Sequence, residues 1–225
     1  MPNLTLLIPA NKESESLPIF LKELKNFDYN TLVVLQEEDK ETIDSISNFK
    51  NIDILIQKKR GYGSALKEGI EKINTEFFCI INADGSMDPN YLKEMHLLSK
   101  NFDFIFASRY LSGGGSDDDN IVTYVGNKFF SFLGNFLFGL SLSDILYTFI
   151  VGKTQSAKEL SLKYHDFRIC VEIPIIAKIK KLNFSSTPSK ERKRIAGVKK
   201  VNALKDGFLI LTAIIHLFIK KNLNK

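Results

Sequence analysis

The sequence lacks the features that would place it in several large classes of protein. It has two cysteines in 225 residues. Cys79 sits in an apolar run and Cys170 in a later apolar segment, which suits ordinary core positions in a reducing compartment better than a disulfide or a thiolate metal site. Uncharged apolar stretches are short: residues 129–142 make fourteen, below the roughly 20 needed to cross a bilayer. Residues 1–8 are too few for the charged and apolar regions of a secretory leader, so the expected location is the cytoplasm. The Gly-Lys-Ser/Thr ending of a Walker loop is missing, as is the third glycine of a dinucleotide fingerprint. No internal repeat and no interdomain linker appears. With 44% hydrophobic and 11% aromatic residues, the chain can bury one sizeable core without covalent staples.

What is present begins with a charge asymmetry. The net charge of +5 divides into −7 over residues 1–152, which hold 14 Lys and Arg against 21 Asp and Glu, and +12 over residues 153–225, which hold 17 against 5. A basic block can face nucleic acid, anionic lipid or a phosphorylated substrate. The segment Lys190-Glu191-Arg192-Lys193-Arg194, followed by Lys199 and Lys200, has neither interleaved aromatics nor a recognition helix, which argues against nucleic acid. Arginines that grip phosphate through bidentate contacts are the better use of it.

Apolar runs of strand length alternate with helical patterns through the first half. Strands are predicted over 4–8, 32–35, 52–56, 77–81 and 104–108, and helices over 17–26, introduced by Ser14 or Ser16, and over 40–48, 64–73 and 89–99. This pattern predicts an α/β domain with a mainly parallel sheet and helices on both faces. The fourth strand is apolar throughout and stops at Asn82-Ala83-Asp84-Gly85-Ser86-Met87-Asp88-Pro89. Ligands of open parallel sheets lie just beyond the carboxyl ends of such strands. Asp88 and Pro89 are explained as the N-cap and first residue of the next helix, whereas turn chemistry gives Asp84 no task. A second candidate is Lys58-Lys59-Arg60-Gly61-Tyr62-Gly63-Ser64, a basic loop opening a helix, either a diphosphate cradle or a plain turn. Residues 112–120, with three glycines and three aspartates, are expected to form a mobile acidic loop or lid.

Beyond that loop, Val122, Val125, Phe129, Phe132, Leu133, Phe136 and Leu140 recur at helical spacing, with Asn127, Ser131 and Asn135 on the other face. A second amphipathic helix is expected over 208–219, closed by Lys220 and Lys221. Two Phe- and Leu-rich helices flanking a basic segment suit either the core or peripheral attachment to a membrane, the latter being favoured. The expected division is a catalytic domain over 1–200 and an amphipathic helix with a basic tail over 201–225.

The chain resembles family 2 glycosyltransferases of the GT-A fold and, within them, the dolichyl- and polyprenyl-phosphate sugar synthases. The resemblance rests on Ile8-Pro9 with Glu13, Gly61-Tyr62-Gly63-Ser64-Ala65-Leu66 with Gly69-Ile70, and Asn82-Ala83-Asp84 with Asp88-Pro89. It continues through Ser108-Arg109-Tyr110 with Gly113-Gly114-Gly115, then Ser143-Asp144, and ends with residues 199–207. It implies that Asp84 holds Mg²⁺ or Mn²⁺ on the diphosphate of a nucleotide-sugar donor. Pro9, Glu13, Arg60, Gly61, Gly63, Asn82 and Ala83 would line the donor, and Arg109, Arg192 and Arg194 would hold an acceptor phosphate. The implied reaction is metal-assisted and inverting, at the inner face of the cell membrane, on polyprenyl phosphate or a lipid-linked glycan. Were the acceptor a neutral sugar hydroxyl, Asp144 or Glu172 would be the base. Four departures stand out: Asn82 replaces the first aspartate of the metal motif, and Lys12 replaces an asparagine. Gln36-Glu37-Glu38-Asp39 replaces an Asp-Asp-Gly-Ser signature, leaving the nucleotide open, and Ile121-Val122-Thr123-Tyr124 replaces basic residues.

Overall fold

The computed structural model describes residues 3–198 and 200–223. Seven strands form one sheet: β1 (Leu4–Pro9), β2 (Asn30–Leu35), β3 (Asp53–Ile56), β4 (Phe77–Ile80), β5 (Phe104–Ser108), β7 (Ile150–Lys153) and β8 (Phe184–Pro188), in the order β3-β2-β1-β4-β7-β5-β8. Neighbours pair in parallel except β7, which runs antiparallel between β4 and β5. Because side chains alternate along a strand, Leu4, Leu6 and Ile8 of β1 face one side and Leu7 the other, and both sides are buried. Helices α1 (Ser16–Leu24), α2 (Lys40–Ile46) and α4 (Leu92–Ser99) cover the first face. Covering the second are α3 (Tyr62–Lys72), α6 (Thr154–Glu159), α7 (Ile169–Ile179) and α8 (Ala203–Leu223). The expected mainly parallel α/β architecture is the one observed. The C-terminal helix packs Ile210, Ala213, Ile214 and Leu217 into the same core cluster as Leu7 and Phe106.

Three local expectations need correcting. Neither Ser14 nor Ser16 caps α1; the Ser16 hydroxyl instead donates to Glu13 at 2.6 Å. The residues 112–120 are not a free lid. A short strand β6 (Gly115–Ser116) pairs in parallel with β9 (Lys190–Glu191), and Asp117 and Asp118 form ion pairs with Lys190 (3.3 Å) and Arg194 (2.7 Å). The amphipathic helix expected to run through Leu140 is α5 (Ile121–Phe138), which stops at the left-handed Gly139. Its polar side faces the protein: Asn127 donates to the Tyr110 hydroxyl (2.8 Å), Ser131 accepts from the Ile145 backbone (3.2 Å), and Asn135 holds both backbone groups of Leu142. Val122, Val125, Phe129, Phe132 and Phe136 point outward, Phe132 65% and Phe136 75% exposed, whereas Leu133 packs against the core and Leu140 is buried in it. Ser131 and Asn135 are spent on the backbone of Leu142 and Ile145, and among the described residues nothing buries Phe132 and Phe136.

Candidate active site

The carboxyl ends of β1, β2, β3 and β4 open on a cavity of about 570 Å³. Its floor is Pro9, Ala10, Asn82, Ala83 and Asp84, and its far end reaches Thr123 and Asn127 of α5 and Asp206 and Ile210 of α8. Asp84 stands where β4 gives out. Its Oδ1 accepts from the backbone and hydroxyl of Ser86 (3.0 and 2.8 Å), closing a turn in which Gly85 takes φ +72°, a conformation that suits glycine. Oδ2 is left facing the cavity, 3.6 Å from Arg194 Nη1. The Asn82 side-chain Oδ1 accepts from the Tyr62 hydroxyl (3.2 Å), which also bonds Thr148, and burial pushes the Tyr62 pKa far up, keeping it neutral.

A strap formed by residues 191–195 lies over the turn. Arg192 N donates to Ser86 O (2.7 Å), Ile195 N to Asp84 O (2.8 Å), and Met87 bridges Glu191. This places the three arginines expected at an acceptor phosphate in different settings. Arg194 lines the cavity and grips Asp118 with Nη2 and Nε; that bond, ahead of the cost of burial, holds its pKa above the ordinary value. Arg192 points away from the cavity, clamping Glu23 (2.7 and 3.1 Å) and the Gly85 carbonyl. Arg109 also lines the cavity but is committed to carboxylates. Two of its nitrogens contact Asp144 (2.7 and 3.0 Å) and Nη1 contacts Glu191 (3.1 Å), while Asp119 lies 3.5 Å away. Burial alone would lower the Arg109 pKa, but Asp144 and then Glu191 outweigh it and hold it well above its usual value.

The two expected bases are both engaged. Asp144 gives both oxygens to Arg109, and buried Glu172 gives both to the backbone of Lys163 and Tyr164 (2.7 and 3.0 Å), away from the cavity lining. Further carboxylates line the cavity, Asp119 and Glu191 among them. Asp119 accepts from Tyr110 (2.6 Å) through one oxygen, and the other is buried without a hydrogen bond. Glu191, raised by burial against the opposing pull of Arg109, accepts from Ser116. Their signal was present in the acidic loop and basic run, but only the β6–β9 pairing brings the two together.

The remaining donor residues divide in the same way. Glu13 lines the cavity in an ion pair with Lys200. Gly61 lines it too, whereas Arg60 is 76% exposed, pairs with Glu38 and lies outside it. The glycines of that loop answer to packing. A side chain at Gly61, φ +110°, would run into the His165 carbonyl, and one at Gly63 would sit 2.7 Å from the Tyr164 carbonyl. The His165 carbonyl also takes the amide of Ser64, so this helix start is partly occupied by its own chain. Gly61→Ala should therefore cost about 1–3 kcal/mol in urea unfolding through strain alone, and a stability within 0.5 kcal/mol of wild type would contradict this packing.

Ends of parallel strands that converge on a carboxylate and a guanidinium define an α/β protein of the GT-A kind, with its ligand site beyond the sheet. The family model for glycosyl transferase family 2 matches residues 5–161, and the chain belongs to that family. An uncharacterised glycosyltransferase of Mycobacterium tuberculosis is 30% identical over 106 residues, 47% of this chain. The match takes in 48% of that protein, so the chain spans about half the length of the first curated relatives it matches. A UDP-N-acetylglucosamine–dolichyl-phosphate N-acetylglucosaminyltransferase of Methanococcus voltae is 23% identical over 210 residues, covering 82% of this chain and 84% of that one. Among solved structures, glucosyl-3-phosphoglycerate synthase of M. tuberculosis in complex with Mn²⁺, UDP and glucosyl-3-phosphoglycerate superposes with a TM-score of 0.72 over 95% of this chain and 79% of that one. At 10% identity that likeness speaks for the fold alone.

Proposed function

We propose that the protein transfers a sugar from a nucleotide-sugar donor to a membrane-associated acceptor that carries phosphate, with Mg²⁺ or Mn²⁺ as cofactor. The observation that carries this reading is one continuous cavity. It runs from the β-strand ends past Asp84 and Arg194 to the starts of α5 and α8, where Ile121, Val122, Val198 and Leu204 are exposed. The donor would occupy the strand-end half, against Pro9, Glu13, Gly61, Asn82 and Ala83.

Among the described residues no three of His, Cys, Asp and Glu converge as a metal cage. A single carboxylate oxygen at Asp84 nevertheless fits a hard cation of the kind bound by one or two carboxylates plus substrate phosphates and water. Bound there, the metal would neutralise charge on the departing nucleoside diphosphate. Asp84 holds its Oδ2 toward that position through the turn at Ser86, and Lys200 and Arg194, each held by a carboxylate, bring positive side chains to the same cavity. A phosphate acceptor is already ionised and requires no base. This matters because Asp144 and Glu172 have no oxygen to spare. A second reading, transfer to a neutral sugar hydroxyl, would make Asp119 the base, whose Oδ1 makes no hydrogen bond but would first have to leave the Arg109 guanidinium 3.5 Å away.

The names of relatives agree on nucleotide sugars. The Methanococcus protein's name gives dolichyl phosphate as acceptor, and the solved neighbour's gives phosphoglycerate, both of them phosphates. A thermal-shift screen of UDP- and GDP-sugars with and without Mn²⁺ tests the donor half: stabilisation by one nucleotide series, larger with Mn²⁺, is expected, and none from any nucleotide would refute it.

Membrane attachment follows from the outward stripe of α5 and from Leu204 and Phe208 of α8. Among the described residues no helix is long and apolar enough to cross a membrane, so the attachment is peripheral, at the inner face of the cell membrane. Basic residues add about 1 kcal/mol each at an anionic surface and are screened by salt, whereas inserted phenylalanines are not. Flotation with anionic liposomes should persist at 0.5 M salt, a concentration at which the Debye length is about 4 Å. Phe132→Ser with Phe136→Ser should weaken it at least about tenfold, each lost side chain being worth about 1.5–3 kcal/mol when buried. A double variant that floats like wild type would remove α5 from the account.

A further inference from the structure

Resting on the donor-site reading above, we propose that Arg194 is a resident cation at the Asp84 carboxylate, and that a divalent metal enters that position only in exchange with it. The guanidinium spans two carboxylates, with Nη2 2.7 Å from Asp118 and Nη1 3.6 Å from the cavity-facing oxygen of Asp84. Both side chains of the Asp84 pair are largely shielded, Arg194 being 19% and Asp84 14% exposed, so solvent screens their interaction poorly.

The strap fixes the arrangement. Ile195 N donates to the Asp84 carbonyl, and Arg192 clamps Glu23 one residue pair earlier, so Arg194 cannot leave without unzipping the 191–195 contacts. Its side chain can still rotate toward Asp118, which already accepts from both Nε and Nη2. A metal on Asp84 Oδ2 would lie about 5 Å from the guanidinium and be repelled by it. For charges of +2 and +1 at that separation even a water-like dielectric leaves a repulsion worth about a tenfold loss of metal affinity, which is the least effect expected at a shielded site. A nucleoside diphosphate reverses the sign, because its two phosphates can be shared by the metal and Arg194. Metal alone should therefore bind weakly, and metal with nucleotide tightly. In the absence of donor the site is neutralised by the chain itself.

The test is direct titration of Mn²⁺ by electron paramagnetic resonance, with no nucleotide and no turnover. Arg194→Met should bind Mn²⁺ alone at least about tenfold more tightly than wild type, and Arg194→Lys, which keeps the charge, should stay near wild type. Asp118→Asn releases the arginine onto Asp84 and should weaken Mn²⁺ binding further, a change of opposite sign that general loosening of the strap would not produce. Asp84→Asn should lose the site in every background. Equal Mn²⁺ affinity in wild type and Arg194→Met, with Asp84→Asn abolishing both, would overturn the exchange while leaving the donor site standing. Weaker binding in Arg194→Met would overturn the exchange as well, and Mn²⁺ bound equally with Asn at position 84 would overturn both.

Discussion

Asp84→Ala should reduce sugar transfer by at least about a thousandfold, equivalent to roughly 4 kcal/mol of transition-state stabilisation. The size follows from position: Asp84 is the carboxylate just beyond a fully buried strand, and one of its oxygens is committed to no hydrogen bond within its own turn. Alanine also removes the acceptor for Ser86 N and Oγ, which costs about 1–2 kcal/mol of stability. Asp84→Asn separates the two effects. Its carbonyl can still hold Ser86, so urea unfolding should stay within about 0.5 kcal/mol of wild type, while Mn²⁺-dependent nucleotide binding and turnover fall as for alanine. Nucleotide affinity unchanged by Asp84→Asn, with Mn²⁺ present, would show that the donor binds elsewhere.

The second large effect is on folding. Asp144→Ala should destabilise the protein by about 3–5 kcal/mol, the usual cost of breaking a buried ion pair from one side. Arg109 is 7% exposed and Asp144 2%, so the substitution leaves a buried guanidinium with only Glu191, Asp119 and the faces of Tyr110 and Tyr147. Arg109→Met with Asp144→Leu should not recover that loss, because Glu191 and Asp119 would be left buried without their cation. A chemical-denaturation midpoint for Asp144→Ala within about 1 kcal/mol of wild type would mean the cluster is far wetter than its burial implies. This role also changes how loss of activity in Arg109 variants is to be read, because the residue props the cavity wall and is not free to grip a ligand.

The sequence carried the parallel half of the fold well, because β1, β2, β4 and β5 are apolar runs bounded by turn residues. It hid β8, whose Phe-Ser-Ser-Thr-Pro is mostly polar, and β7, four residues long with Gly152 packed against the Phe104 and Phe78 rings. Those strands exist because long-range pairing with β5 and β4 supplies what local pattern lacks. The site was legible where one strand end fixes it, at Asn82, Ala83 and Asp84. It was not legible where it depends on two distant segments meeting. Asp118 and Arg194 are 76 residues apart and Arg109 and Glu191 are 82 apart, so nothing local in the chain says which charges neutralise which. Periodicity found α5 but not its orientation. Which side of an amphipathic helix meets the protein depends on the backbone it must satisfy, here that of Leu142 and Ile145, and the phenylalanines were left for another partner.

The central claim is that this cavity joins a nucleotide sugar to a phosphate at a membrane surface. The most direct measurement is transfer of labelled sugar, from the nucleotide sugar that stabilises the protein best, to polyprenyl phosphate in anionic vesicles, to a polyprenyl-diphosphate-linked sugar and to a free oligosaccharide, with Mn²⁺ present. Wild type should label polyprenyl phosphate, Asp84→Asn should label no acceptor, and Asp119→Asn should retain transfer to polyprenyl phosphate because no base is required there. Robust labelling of the free oligosaccharide, lost in Asp119→Asn, with neither lipid-linked acceptor labelled, would contradict the account and make Asp119 the base of a glycan-extending enzyme.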